Sequence, residues 1–408
     1  MNQRIQYGLI TGILTVLFLV PACGKNKNES KEYPVKIRKE NNVIQIVNPN
    51  FPKVSLREFT LKEELSIGND TDDDSLFLKI RKLKVDDKGD IYAADARRNH
   101  VCIFDEKGIF KKRLGKKGIG PGEIGRLSDL IIDEKNSLIH ILDGKLRKVV
   151  RYGFDGTLES DLKLIDGAPD QLFLDPNGLY VVRYSFLDDN GYEKFKILKY
   201  TGDGKRLPYT REFEASKSKD IQGEGGLVIS ASIPFVPKSY FAYDRNGNLY
   251  HGFSDKYEIS IFDANLNIKK IIRKSNHERL KVSKSELKEF KDSLIEGLKK
   301  KGIGAAIDKF EFPDYHQVFT ALWLDDKDRL LVETRTTDDT SQIDVFNSEG
   351  IYVEKMIIER PIDGISLRWI FYLPVFLDGY VYAVVMDEDD VMLVKKYRLI
   401  EKKSTKEK

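Results

Sequence analysis

The residues Gly120-Pro-Gly-Glu-Ile-Gly125 spell G-x-G-x-x-G. That pattern cradles a dinucleotide pyrophosphate when it follows a strand, opens a helix and finds an acid about 20 residues on to hold the ribose. Here Gly125 is followed by "RLSDLIIDEKNSLIHIL", which reads as strand, turn, strand. Without a helix N-terminus there is no aligned set of amides for a phosphate, so the run is expected to be a turn and no cofactor is expected. The five histidines, His100, His140, His251, His277 and His316, show no paired-ligand spacing and read as surface or strand residues. The acid runs Asp72-Asp73-Asp74 and Asp387 to Asp390 match no complete calcium loop and read as solvated turns. Neither a G-x-S-x-G nucleophile elbow nor a G-x-x-x-x-G-K-[ST] phosphate loop occurs. At motif level the catalytic inventory is empty, and no metal ligand set can be named.

The elements that would position such residues come from a repeat. A turn made of Asp, a few residues with Gly or Asn, then an aliphatic-aromatic pair recurs at Asp86, Asp133, Asp175, Asp244, Asp325 and, contracted, at Asp378. A second turn signal, an aromatic followed by Asp, Asn or Thr-Gly and a polar turn, follows at Phe104, Phe154, Tyr200, Phe262 and Phe346. Asp and Asn favour such turns by bonding to their own backbone, and Gly supplies positive φ. Two hairpins per repeat make four strands per repeat. The apolar runs between turns are too short for core helices and rich in Val, Ile, Leu, Tyr and Phe.

The stretch "LKVDDKGDIYAADARRNHVCIFDEKGIFKKRLGKKGIGPGEIG" resembles an NHL-type blade of the six-bladed β-propeller lipoproteins. The family pattern runs D-x-x-G-x-I/L-Y-V-x-D, then R-I-x-x-F, then G-x-G-x-G-P-G-E-F. Ile124 stands where the pattern has Phe, and only the first copy keeps the full glycine run. The resemblance implies an all-β, six-bladed propeller of four-stranded antiparallel blades, spanning residues 43–400. It makes Gly120 to Gly125 the passage from one blade to the next. The last copy supplies three strands, so the segment Val43 to Leu61 is expected to close it as the fourth. Related propellers include lactonases and lyases, and the alternative to a binding role is a hydrolase or lyase with a metal in the central funnel.

Two insertions interrupt the repeat. In "SKSELKEFKDSLIEGLKKKG", within residues 278–312, Ser283 and Glu286 form a capping box, while Leu287, Phe290, Leu294 and Leu298 share one face. The helix is expected to cover a blade edge rather than act as a lid. The other insertion, Lys205 to Tyr240, reads as loop.

At the N-terminus, Arg4 precedes an apolar run from Gly8 to Val20, the pattern of a secretory signal peptide over residues 1–22. Val20-Pro21-Ala22-Cys23 resembles the bacterial lipobox, with Pro at the −2 position departing from the usual Ala or Ser, and implies lipidation of Cys23. The alternatives are an uncleaved anchor or an ordinary signal peptide. Residues 23–42 read as a flexible tether and 401–408 as a charged tail. Of the two cysteines, Cys102 lies in the apolar "HVCIFD" and is expected to be a small buried hydrophobe. The net charge of +3 argues against a nucleic-acid partner.

These readings place the chain in the cell envelope, lipid-anchored, at the outer membrane facing the periplasm or at the cell surface. The expected role is a non-enzymatic binding module, with an envelope protein, a carbohydrate or an anionic ligand as partner. In the expected register the funnel face receives Arg97, Arg98, Arg126, Arg147, Arg183, Tyr184, Lys256, Tyr315, Arg335 and Arg368. Arginine and tyrosine suit recognition because each offers large contact area with directional donors.

Overall fold

The computed structural model describes residues 33–68, 76–219, 221–222, 228–229, 233, 235–275, 277–300, 310–334, 340–359, 374–387 and 390–402. Cys23, Arg335 and Arg368 lie outside the described residues, as do the signal segment and the charged tail beyond residue 402. The chain enters through β1 (Lys36–Glu40) and β2 (Val43–Asn48), a hairpin turned by Asn41 and Asn42, both at positive φ. Asparagine tolerates that conformation, which the tight hairpin requires. A long strand follows, β3 (Ser55–Ile67).

The repeat then builds sheets in chain order. The first holds β4 (Ile80–Val85), β5 (Ile91–Asp95), β6 (His100–Phe104) and β7 (Phe110–Leu114). The second holds β8 (Leu127–Asp133), β9 (Leu138–Asp143), β10 (Lys148–Gly153) and β11 (Leu158–Lys163). The third holds β12 (Ala168–Leu174), β13 (Tyr180–Leu187), β14 (Tyr192–Tyr200) and β15 (Arg206–Lys219). A short pair, β16 (Ile221–Gln222) and β17 (Val228–Ile229), lies in the first insertion. The fourth sheet holds β18 (Ser239–Tyr243), β19 (Leu249–Phe253), β20 (Glu258–Phe262) and β21 (Ile268–Lys274). After the helix α1 (Lys284–Lys300) come β22 (Ala321–Leu324), β23 (Leu330–Thr334), β24 (Thr340–Phe346) and β25 (Tyr352–Glu359) of the fifth sheet. The sixth set is β26 (Val375–Leu377), β27 (Tyr380–Met386) and β28 (Met392–Glu401). The molecule is mostly β, and among the described residues no helix is long and apolar enough to cross a membrane.

The repeated aspartates do what their position demands. Asp86, Asp175, Asp244 and Asp325 are buried, and one carboxylate oxygen of each accepts two backbone amides of its own turn at 2.8–3.0 Å. Apolar clusters fill the spaces between successive sheets. Val101 and Leu114 meet Leu130 and Ile141, Leu142 and Val149 meet Tyr180 and Leu198, and Ile197 meets Phe241 and Leu249. Further on, Ile259 and Ile272 meet Leu322 and Val332, and Ile343 and Val345 meet Phe376 and Val381. Tyr382 and Val394 of the last set meet Ile80, Leu83 and Phe104 of the first. Cys102 is buried in that last cluster.

The N-terminal segment departs from expectation. Only its later part pairs with the last set: β3 runs antiparallel to β28 from Phe59 to Ile67, while Ser55 to Phe59 run parallel to β25. Strand β3 therefore joins the fifth and sixth sets into one eight-stranded sheet. Val43 to Asn48 instead lie parallel to β21, so the fourth sheet gains β2 and β1 and has six strands. The reason is a staple at the crossing. Buried Asn48 donates through Nδ2 to the Gly350 carbonyl at 3.0 Å and accepts the Tyr352 amide at 2.9 Å, while its own carbonyl accepts the Ser275 amide at 2.8 Å.

The capping box forms as expected, with the Ser283 amide donating to Glu286 at 2.9 Å and the Glu286 amide donating to Ser283 Oγ at 3.2 Å. The apolar stripe packs elsewhere than on a sheet edge: Phe290, Leu294 and Leu298 meet Ile233 and Val236 of the first insertion, with Phe310 and Phe312. The two insertions supply each other's cover.

Candidate functional site

The glycine run joins β7 to β8, and its amides are already engaged. Glu123 Oε2 accepts those of Ile119 and Gly120 at 3.0 and 2.9 Å, Asp161 accepts that of Gly122 at 3.3 Å, and Asp143 accepts that of Gly125 at 2.6 Å. Those bonds hold the Glu123 carboxyl below its usual range, the Gly120 amide being the largest cause. Carboxylates of the chain itself occupy the places a phosphate would need, while Ile124 fills the apolar space between the first two sheets.

Beside this run lie two buried aspartates at the ends of second strands. Asp143 accepts, besides Gly125, the amides of Arg126, Lys145 and Leu146 at 3.1, 2.9 and 2.9 Å. Asp95 accepts those of Leu78, Lys79, Arg97 and Arg98 at 2.8–3.3 Å. Asn99 Oδ1 accepts the Leu127 amide at 2.9 Å and so ties the Arg97–Arg98 turn to the chain just after Arg126. Backbone is locked by carboxylates here, and the arginine side chains project from it. Arg147, in the equivalent turn of the second sheet, sits at φ 54, a conformation uncommon outside glycine.

The first strands of three consecutive sheets share an irregularity. Pairing slips by one residue between Ile80 and Lys82, between Leu127 and Asp129, and between Pro169 and Gln171. A bulge leaves one residue out of the ladder and re-aims side chains, and bulges concentrate at rims and beside functional sites. The residues left out are Arg81, Ser128 and Asp170. Arg81 Nε donates to the Ser128 carbonyl at 2.8 Å. Lys82 Nζ lies 3.0 Å from Asp129 Oδ1, and Asp129 Oδ2 accepts the Leu172 amide at 3.0 Å, so one buried carboxylate touches β4 and β12 from its place on β8. Gly144 lets these parts approach: a Cβ there would meet Ser128 Oγ, the Pro169 carbonyl at 2.6 Å and Arg126 Nη2 at 2.7 Å.

Electrostatically this rim is cationic. Lys82 and Lys84 lie by Asp129, Arg81 bonds the adjacent Ser128 carbonyl and Arg126 lies near Ser128 Oγ; the oxygens of Asp129 are taken by Lys82 and by the Leu130 and Leu172 amides. The Arg126 guanidinium has no hydrogen-bond or ion-pair partner among the described residues. Burial, and then the neighbouring Lys82 charge, lower the Lys84 ammonium to about 8. Such a surface can hold an anion by charge and by directional N–H donors.

The other expected residues fall differently. Arg183 is engaged by Asp170 through two bonds of 2.9 Å and stacks over Phe195, 4.0 Å from the ring centroid. Tyr184 is buried, its hydroxyl 2.8 Å from that of Tyr200. Lys256 pairs with Glu258 at 3.1 Å, and Tyr315 lies beside the helical insertion with Arg279 over its ring at 4.9 Å. The structure thus draws together Arg97, Arg98 and Arg126, ties Arg147 to the same turns, and adds Arg81, Lys82 and Lys84. Those three carried a sequence signal: "RKLKV" holds cations where the corresponding strand of the second repeat, "LSDLIID", has an aspartate and aliphatics.

A cavity of about 380 Å³ lies between the fifth and sixth sets, lined by Phe59, Phe376 and Tyr380 among others. Most of its charges are paired with one another, Arg57 with Glu354 at 3.1 Å and with Glu401, and Arg329 with Asp325 at 2.7 Å. Among the described residues no three His, Cys, Asp or Glu side chains come together in a way that could hold a metal ion.

Solved structures similar to this chain are propeller-like. One, described as a "Putative exported protein" of Bacteroides fragilis, is 14% identical, with a TM-score of 0.50 and 88% of this chain and 99% of that chain covered. A member of the DUF4221 family from Bacteroides vulgatus is 11% identical with a TM-score of 0.47, covering 85% and 100%. A virginiamycin B lyase of Staphylococcus aureus is 13% identical with a TM-score of 0.42, covering 84% and 100%. At these identities the likeness concerns the fold, and the last two scores bear on nothing further. A search of curated proteins found no match. The family model described as "Domain of unknown function (DUF4934)" matches residues 70–404, and the chain belongs to that family.

Proposed function

We propose that this chain is an exported, lipid-anchored envelope protein whose sheets close as a six-bladed, NHL-like propeller and whose cationic rim holds an anionic ligand without chemical conversion. Closure is supported by the cluster that packs the sixth set on the first, and by contacts of β4 with β8, β8 with β12, β18 with β22 and β26 with β4. Strand β3 acts in it as the outer strand of the last blade. The anchor is Cys23, read from its position after the apolar run.

The observation that carries the binding role is the pair of bulges at Arg81 and Ser128, where Arg81 bonds the Ser128 carbonyl, Arg126 lies by Ser128, and the single charge of Asp129, paired with Lys82, is outnumbered by the cations near it. The test is calorimetric titration of the chain from Gly24 onward with sulfated, uronate and neutral oligosaccharides. The anionic probes bind, salt weakens them, and replacing Arg81 and Arg126 together by alanine lowers affinity about tenfold or more. Arg183→Ala, whose charge is already matched by Asp170, leaves affinity unchanged. Equal binding of neutral probes, or indifference to the double substitution, overturns the reading.

A further inference from the structure

The N-terminal segment before and within β3 carries apolar side chains with high exposure. Val54 is 74% exposed, Ile37 59% and Leu56 54%, with Ile44 less so. Ile37 lies on β1, the free edge of the fourth sheet, and Ile44 on β2 beside it, while Val54 and Leu56 lie where the chain enters β3 alongside β25. Ile37 and Ile44 share one side of the β1–β2 pair, and Val54 and Leu56 alternate onto one side of the chain entering β3; exposed apolar groups gathered on so short a stretch point to a contact site.

Its charge selects the occupant. Strand β1, "KIRKE", is exposed along its whole length and carries Lys36, Arg38 and Lys39 against one acid, Glu40. An edge strand with three cations repels a second copy of itself but is drawn to anionic headgroups. Chain length agrees: from Cys23 to Lys36 the backbone reaches about 45 Å at full stretch, so a lipid on Cys23 keeps β1 close to the bilayer. We infer that the β1–β2 hairpin and the start of β3 form a membrane-docking face, with Ile37, Val54 and Leu56 entering the interface of an anionic lipid surface and Lys36, Arg38 and Lys39 meeting its headgroups. The inference rests on the reading of Cys23 as the anchored residue.

The test is flotation of the unlipidated chain from Gly24 with vesicles of phosphatidylglycerol and phosphatidylethanolamine in equal parts, against vesicles of phosphatidylcholine. The chain rises with the anionic vesicles and is released by salt. Replacing Lys36 and Lys39 by glutamate weakens partitioning by at least about fivefold for each cation removed. Ile37→Ser with Val54→Ser and Leu56→Ser weakens it again while the thermal transition is retained; if that variant does not fold, the lysine variant on the fully exposed strand decides alone. Equal flotation with both vesicle types, or none, overturns the inference. So does self-association without lipid that the same substitutions disperse, which assigns the face to a second copy. Because this chain lacks Cys23, vesicle binding judges the docking face alone. Loss of lipid labelling in Cys23→Ala of the full chain judges the anchor.

Discussion

The rim of the first two sheets and that of the fourth and fifth use polar groups in opposite ways. In the first two, the bonds that Asp95 and Asp143 accept among the described residues come from backbone amides, and Arg126, whose amide is one of those donors, keeps its guanidinium exposed. In the fourth and fifth, side chains satisfy side chains: Tyr240 and Ser254 both donate to Gln317 at 2.9 and 3.0 Å, while Thr320 and Ser341 donate to Glu333 at 2.8 and 2.9 Å. A network whose members bond to each other is closed to a ligand, whereas carboxylates that consume backbone donors leave cations available. The difference locates the candidate site more sharply than the count of arginines does.

Breaking the two kinds of carboxylate should separate them most. Asp143→Ala leaves four backbone amides without their acceptor in a fully buried place and should lower stability by about 3–4 kcal/mol. Glu333→Ala frees hydroxyls that can rotate to other acceptors, and should lower it by about 1–2 kcal/mol. Urea unfolding measures both, and equal losses would erase the contrast.

Acid should weaken both halves. Burial, first among the causes, lowers His140 of the second sheet to about 4 and His251 of the fourth to about 3, against an ordinary value of 6.5. Each folded pKa lies below the unfolded one, so the unfolded chain takes up protons first, and stability present above pH 6.5 is lost as pH falls toward 4. For His140 the loss is about 3 kcal/mol over that window, and the melting temperature of His140→Gln should fall less steeply than that of the parent chain. A melting temperature independent of pH across this range contradicts it.

The smallest effect belongs to the cationic rim alone. Lys84, lowered to about 8, is charged below that pH and neutral above it, so affinity for an anionic probe should fall a few-fold, roughly, between pH 7 and pH 9. Lys84→Gln should remove the step. A step that persists in that variant moves the titrating group elsewhere.

Turn chemistry was legible in the sequence because it is local. The turns opened by Asp86, Asp175, Asp244 and Asp325 and the Ser283–Glu286 cap follow from residues a few positions apart, and each forms. What one-dimensional pattern hides is direction. A bulge adds one residue with no mark of its own, so Arg81 and Ser128 could not be told from their strand neighbours, and the alternation that buries Tyr184 depends on pairing with β14. The path of residues 43–61 was hidden for a similar reason: their β-type alternation fits any open edge, and a single buried side chain, Asn48, decides which edges they take. Arg126 was found because the glycine run fixes its place, whereas the aim of Lys82 and Lys84 depends on a strand register that the bulge beside them shifts.

Strand β3 has a mechanical consequence. It lies between β25 and β28 rather than at a free margin, and β2 before it lies between β1 and β21. A pull on the N-terminus, from a moving membrane or a bound partner, therefore loads two strands lengthwise, so that many hydrogen bonds bear the force together instead of opening one after another. The chain end that would tether this protein is also the part best placed to resist being torn from it.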